Sequence, residues 1–227
     1  MARSLVVSAL GITRQIDGMG YRDVDYQANL NLLHEAERAG VGRFAYVHVL
    51  HADAMAGVPL VDAKAEFVAA LWASDMPATV IAPTGYFSDM GDILAMARAG
   101  RVWLFGDGSL RLNPIHGADL AAAVADATQA GRGWVEVGGP DVMTQDEIAR
   151  AAFAALGTEP RITHLPDGLR RAALAALPLL PRRVSGPARF FLTALGMDMV
   201  APLFGTRRLP DHFASLAANT PPQGVHP

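Results

Sequence analysis

The chain has 227 residues, 51% hydrophobic and 18% charged, which is enough for one substantial domain and too apolar for a disordered polymer. Nineteen basic against 22 acidic residues leave a net charge of −3, so no basic excess points to nucleic acid as a partner. The absence of cysteine excludes disulfides, thiol nucleophiles and thiolate metal sites.

Leu5–Leu10 (LVVSAL) is a nearly continuous apolar run ending at Gly11. Its length and β-branched content predict a strand buried on both faces. Asp25–Ala39 places Leu30, Leu32, Leu33 and Ala36 at helical spacing and stops at Gly40. Arg43–Leu50 predicts a strand, Asp62–Ala73 a helix, and Thr79–Ala82 a strand running into Pro83. Ile93–Ala99 predicts a helix closed by Gly100, Val102–Phe105 a short strand, Gly117–Thr128 a helix and Gly133–Val137 a strand. Thr144–Leu156 predicts a helix, because Thr144 and Glu147 have the spacing of a capping box.

Strands separated by helices imply parallel pairing through right-handed crossovers, hence an α/β fold with a doubly wound parallel sheet over residues 1–157. From about Thr158 the alternation ends, and Arg170–Leu216 is broken by five prolines. Residues 158–227 are therefore expected to form a C-terminal helical extension over one end of the sheet.

Met1–Ala9 is short and strand-like, unlike a secretory signal peptide. Ala172–Pro181 is the most apolar later stretch, but two prolines and the arginines that follow leave it too short to span a hydrocarbon core of about 30 Å. Interleaved apolar and Arg residues over Ala172–Arg189 leave two readings, a helix lying in a membrane interface and plain core packing.

Six stretches in this order carry a family likeness: VVSALGITRQ (Val6–Gln15), VDYQANLNLLHEAERAGVGRFAYV (Val24–Val47), PLVDAKAEFVAAL (Pro59–Leu71), TVIAPTGYFSDM (Thr79–Met90), GRVWLFGDGSLRLNPIHGADLA (Gly100–Ala121) and VEVGGPDVMTQDEIA (Val135–Ala149). The tail GMDMVAPLFGTRRL (Gly196–Leu209) adds to it. The chain resembles the atypical short-chain dehydrogenase/reductases of the NmrA-like, NAD(P)H-binding type. The resemblance implies a Rossmann-like domain opened by a strand, a Gly-rich turn and a helix whose amides cradle the cofactor pyrophosphate. No such glycine motif stands near the start, and Met1 falls just before what resembles the fourth strand. Two leading βαβ-type units, on the order of sixty residues, have no counterpart. The expectation is an N-terminally truncated domain, a fragment or mis-started frame; loss of that half is the other reading.

Of the 19 basic residues, Lys64 is the only Lys. In short-chain dehydrogenases a Tyr-x-x-x-Lys pair shares one helix face, and the Lys holds the nicotinamide ribose while lowering the Tyr pKa. The resemblance gives Lys64 the ribose role, yet Leu60 stands where the Tyr would be, and the strand-end Ser/Thr is either replaced by His48 or lies elsewhere. Leu10 and Gly11 close the first strand at the ligand crevice, where a Gly permits close backbone approach. The loop Pro83, Thr84, Gly85, Tyr86 and Phe87 would pass beside the nicotinamide, and Tyr86 could replace the absent tyrosine or pack on the extension. Lys64 and Tyr86 are thus the catalytic candidates, and Leu10, Gly11, Lys64 and Pro83–Phe87 the cofactor-binding ones. His48, His51 and Asp53 are too few for a metal site, so none is expected. Asp119, near a helix start beside His116, reads as a cap, and Asn29 as a structural hydrogen-bonder. No serine lies in a G-x-S-x-G elbow, so a hydrolase triad is unsupported.

The expected function is an NAD(P)H-linked oxidoreductase, or a fragment of one, acting on a small organic substrate such as a quinone or enone. The alternative is a non-catalytic nucleotide-binding or complex-assembly protein, motivated by Leu60 and the missing phosphate loop. NAD(P)H is the cofactor expected of the complete protein, with weak or absent binding by the chain as given. A cytoplasmic location, membrane-associated if the interfacial helix holds, and a homodimer through the exposed sheet edge complete the expectations.

Overall fold

The computed structural model describes residues 4–12 and 18–219. Met1 and the Thr13–Gln15 end of the first matched stretch lie outside them. The strands are β1 Leu5–Ser8, β2 Arg43–Val47, β3 Ala78–Pro83, β4 Val102–Phe105, β5 Arg111–Leu112, β6 Trp134–Val137, β7 Met143–Thr144 and β8 Ile162–Leu165. The helices are α1 Asn29–Arg38, α2 Pro59–Ala73, α3 Gly91–Arg98, α4 Gly117–Gln129, α5 Gln145–Ala155, α6 Asp167–Ala176, α7 Arg182–Ala194 and α8 Leu209–Ala218.

The central sheet is parallel in the order β1-β2-β3-β6, with Val6 opposite Phe44, Ala45 opposite Thr79 and Ile81 opposite Val135. Strand alternation sends Phe44, Tyr46 and Val80 to one face, where Leu33 of α1 and Phe67 and Leu71 of α2 cover them. Ala45, Val47 and Ile81 face the other way, onto Leu120 and Val124 of α4. α3, α5 and α8 form a further apolar layer around Leu94, Ile148, Phe153 and Phe213. The capping box at α5 is present, Thr144 and Glu147 each bonding the other's backbone.

Three expectations are corrected. β4 does not join the main sheet; it pairs in parallel with β8, a strand the sequence reading had absorbed into the C-terminal extension. β1 is not buried on both faces, since Leu5 and Val7 are 45% and 49% exposed. An apolar run acquires two-sided burial only between two neighbours, and among the described residues β1 has β2 alone. The helix expected from Asp25 begins as a π-helical segment, Arg22–Ala28, which gives way to α1 at Asn29. The Asn29 amide donates to the carbonyls of Val24 and Asp25, competing with the regular helical ladder, while its oxygen accepts from Ser8 Oγ at 2.5 Å.

The chain returns after α7 to the carboxyl ends of β3 and β6. Buried Asn113 holds Ala201 through both its amide nitrogen and its oxygen, and Gly138 exchanges backbone bonds with Pro202 and Phe204. Asp119 is buried too, but it does not cap α4: His116 Nδ1 accepts from Ala118 there, and Asp119 clamps the Thr206 and Arg207 amides and the Arg207 guanidinium. Burial alone would raise the Asp119 carboxyl; these donors outweigh it and hold the carboxyl below the usual range.

Candidate functional site

The parallel strands end at a cavity of about 280 Å³, as expected for the ligand crevice of an open α/β sheet. Gly11 and Ile12 after β1, Val47 and His48 at the end of β2, and Pro83–Tyr86 after β3 form its polar side. Phe190 and Phe191 of α7 and Ile148 of α5 form the apolar side.

Lys64 projects from α2 to this cavity with its side chain 12% exposed. Its Nζ lies 3.2 Å from Oδ1 of the fully buried Asp25, 3.4 Å from the Tyr46 hydroxyl and 3.5 Å from the Val47 carbonyl. Asp25 Oδ2 accepts the Ile12 amide at 3.2 Å. Lys64 faces Oδ1 as an ion pair, and no other donor among the described residues reaches that buried oxygen. Burial lowers the Lys64 amine pKa, with Asp25 pulling it back up. Burial raises the Asp25 carboxyl, against Lys64 and the Ile12 amide.

Gly11 makes this pair geometrically feasible. A Cβ there would sit 2.6 Å from Asp25 Oδ1 and 2.9 Å from Lys64 Nζ. The backbone approach expected at Gly11 is therefore to the ion pair itself.

Leu60 is buried where a catalytic phenol would stand. A tyrosine does reach Lys64, but from β2: Tyr46 is fully buried between Phe67 and His48, and burial drives its hydroxyl well above the ordinary range. Tyr86 lines the cavity with its pKa pushed up to about 12 by burial and then by Asp89. In its loop, the Thr84, Tyr86 and Phe87 amides donate to Val137, Asp89 and Ile115, so Gly85 has the one loop amide outside this set. Thr84 Oγ1 is spent on the Asn113 carbonyl at 2.6 Å.

Gly11, Lys64, Pro83, Thr84, Gly85 and Tyr86 thus meet at one cavity. Leu10 and Phe87 do not line it: Leu10 is 45% exposed, and Phe87 is buried in the α3–α5 layer beside His116 and His212. His48 is buried at the cavity between the Tyr46 and Trp134 rings, its Nδ1 without a partner and its pKa pushed down to about 4 by burial and then by Lys64. His51 sits in the left-handed region at φ 54°, and no three ligand-type side chains converge on a metal position among the described residues. Asp25, Tyr46 and Gln145 were not singled out from the sequence. The strand period was the available signal for Tyr46, because it puts Tyr46 and Phe44 on the face that α2 covers.

The donor set fits one end of a dinucleotide. Lys64 as donor suits a ribose hydroxyl, with the fully buried Asp25 behind it holding the ammonium in place. The polar wall also carries Asp89, and its one ammonium already faces Asp25, so no free cation is left among the described lining residues to neutralise a pyrophosphate.

No family model matches the chain. Over 195 residues, 81% of its length, it is 25% identical to the mitochondrial subunit 9 of the NADH dehydrogenase (ubiquinone) 1 alpha subcomplex of Arabidopsis thaliana. It spans 48% of that relative, about half. Among solved structures it superposes on an NADPH-dependent quinone oxidoreductase of Escherichia coli in complex with NADPH, with TM-score 0.63 and 20% identity over 93% of this chain and 75% of that one. A nucleoside-diphosphate-sugar epimerase of Staphylococcus aureus gives TM-score 0.61 and 15% identity over 96% and 73%. The dTDP-glucose 4,6-dehydratase of Bacillus anthracis in complex with NAD gives 0.57 and 17% over 73% and 61%. At these identities the likeness establishes the fold: an α/β Rossmann-type fold whose structural neighbours are NAD(P)-binding proteins.

Proposed function

We propose that the cavity holds the nicotinamide-ribose end of NAD(P)H, and that nucleotide binding, without tyrosine-driven proton transfer, is the function the geometry serves best. The Lys64–Asp25 pair opening onto the strand ends carries this reading. Bound nicotinamide supplies hydride chemistry; the chain's residues supply the hold. Lys64 donates to the ribose, buried Asp25 holds the Lys64 ammonium from behind, Gly85 N–H is left to meet the carboxamide, and the aromatic wall of α7 excludes water. Against proton transfer stand Leu60 in the tyrosine position and a Tyr46 hydroxyl that is buried with a raised pKa. The order of matched segments supports a place among NmrA-like proteins, and Phe190 and Phe191 in the cavity wall support residues 158–227 as its substrate-side region. The likeness to a respiratory-complex subunit supports an assembly role.

A second reading, reduction of a quinone or enone, is favoured by the Tyr86 hydroxyl at the cavity and the likeness to a quinone oxidoreductase. Because Lys64 is the sole lysine, amine-directed acetylation followed by mass spectrometry reports on the site directly. Nicotinamide mononucleotide and NADH should slow acetylation of Lys64 while ADP does not; equal rates in all three would overturn the site. NADH oxidation on adding quinone would favour the second reading over the first.

A further inference from the structure

The cavity wall opposite Lys64 is apolar, and two of its residues belong equally to the outer surface. Phe191 and Leu195 line the cavity yet are 38% and 40% exposed. They continue a stripe on α7, Val184, Ala188, Phe191 and Leu195, at intervals that keep all four on one helix face. Val184 is 56% exposed, and the turn between α6 and α7 extends the stripe with exposed Leu179 and Leu180. Leu169 of α6, which packs on α7, is exposed as well. Monomeric proteins seldom leave apolar patches of this extent uncovered.

Charge identifies what covers it. Residues 167–195 contain five arginines and one acid, a net of +4 in a chain whose total is −3. The one acid, Asp167, pairs with Arg171 and with Arg170, which is itself buried, so three arginines of the segment, Arg182, Arg183 and Arg189, are in excess of it. An apolar stripe within a cationic segment matches an anionic bilayer surface. No described helix is long and apolar enough to cross a membrane, so the contact lies in the interface plane.

We propose that α6 and α7 rest on an anionic bilayer with the Val184–Leu195 stripe in its acyl boundary, and that the cavity receives from that bilayer an apolar, tail-bearing molecule past Phe191 and Leu195. This deepens the reading of the cavity as a binding site but does not use Lys64, so failure of nucleotide binding leaves it standing. The tail lies along Phe190 and Phe191.

The test is co-sedimentation with phosphatidylcholine vesicles, with and without phosphatidylglycerol. The double variant Leu179→Asp/Val184→Asp runs alongside, its fold checked by thermal melting. Wild type should sediment with the anionic vesicles and the variant should not, while Arg189→Gln weakens partitioning about fivefold. A benzoquinone bearing a decyl chain should bind without nucleotide about tenfold or more tighter than the same ring without the chain. Vesicle binding indifferent to phosphatidylglycerol or to the variant, or equal affinity for the two quinones, would overturn the proposal. A dimer in sedimentation velocity that the variant abolishes would assign the stripe to a second copy and overturn it too.

Discussion

Lys64 Nζ and Asp25 Oδ1 lie 3.2 Å apart, the amine almost enclosed and the carboxylate wholly so. Desolvation opposes both charges, and each is tolerable only because the other is present. Lys64→Met alone should therefore destabilise the fold by about 3–5 kcal/mol, whereas Asp25→Asn/Lys64→Met should recover most of that loss. Urea denaturation of the two singles and the double checks it; additive losses would show that the pair is not coupled. Lys64→Arg should not restore nucleotide binding, because a planar guanidinium does not occupy the place of a compact ammonium between Asp25, Tyr46 and the Val47 carbonyl.

Gly11→Ala probes the same pair from the backbone. Its new methyl would press on Asp25 and Lys64 at once, so a stability cost of about 1–3 kcal/mol is expected. Acetylation of Lys64 should also quicken as the amine is pushed outward. A variant as stable as wild type, with unchanged labelling, would refute the contact.

His48 sets a pH dependence. Its pKa is about 4 in the fold against 6.5 ordinarily. Between these values the unfolded chain takes up a proton that the folded chain refuses, so this group costs nothing above pH 6.5 and lowers stability as pH falls towards 4. The gap corresponds to about 3 kcal/mol. His48→Phe should flatten that limb in unfolding free energies measured across the window; an unchanged slope would place the titration elsewhere.

β1 leaves one ladder of backbone donors and acceptors unpaired among the described residues, and its exposed Leu5 and Val7 carry no charge. The chain should self-associate through this edge. Val7→Lys should shift it towards monomer in sedimentation velocity, and a wild type that stays monomeric at high concentration would contradict this.

The alternation of apolar runs with helical spacings made the β1–β3 and α1–α5 order legible, because each period reports local geometry. β8 was missed because Ile162–Leu165 (ITHL) has a polar Thr-His pair in place of an apolar run, and its pairing with β4 bridges sixty positions of sequence. Lys64 stood out through composition, and Gly11 through its place at a strand end. Asp25 did not, since a carboxylate early in a helix ordinarily complements the dipole at the surface. Asp25 is buried within a π-helical segment, with the Asn29 side chain bonded to its carbonyl, and no periodicity announces that.

The tail that Asn113 and Asp119 hold bears on the order in which the molecule is built. Met197 and Met199 complete the cavity, and Asn113 reaches 88 positions ahead to grip Ala201. A nascent chain that has released β1–β3 and Lys64 therefore has a crevice without its far wall. Its apolar strand ends stay wet until the segment after α7 leaves the ribosome. That closure, and the longer one from Arg98 to the Leu216 carbonyl 118 positions on, both come late, which makes the half-made chain a client for holdase chaperones during synthesis.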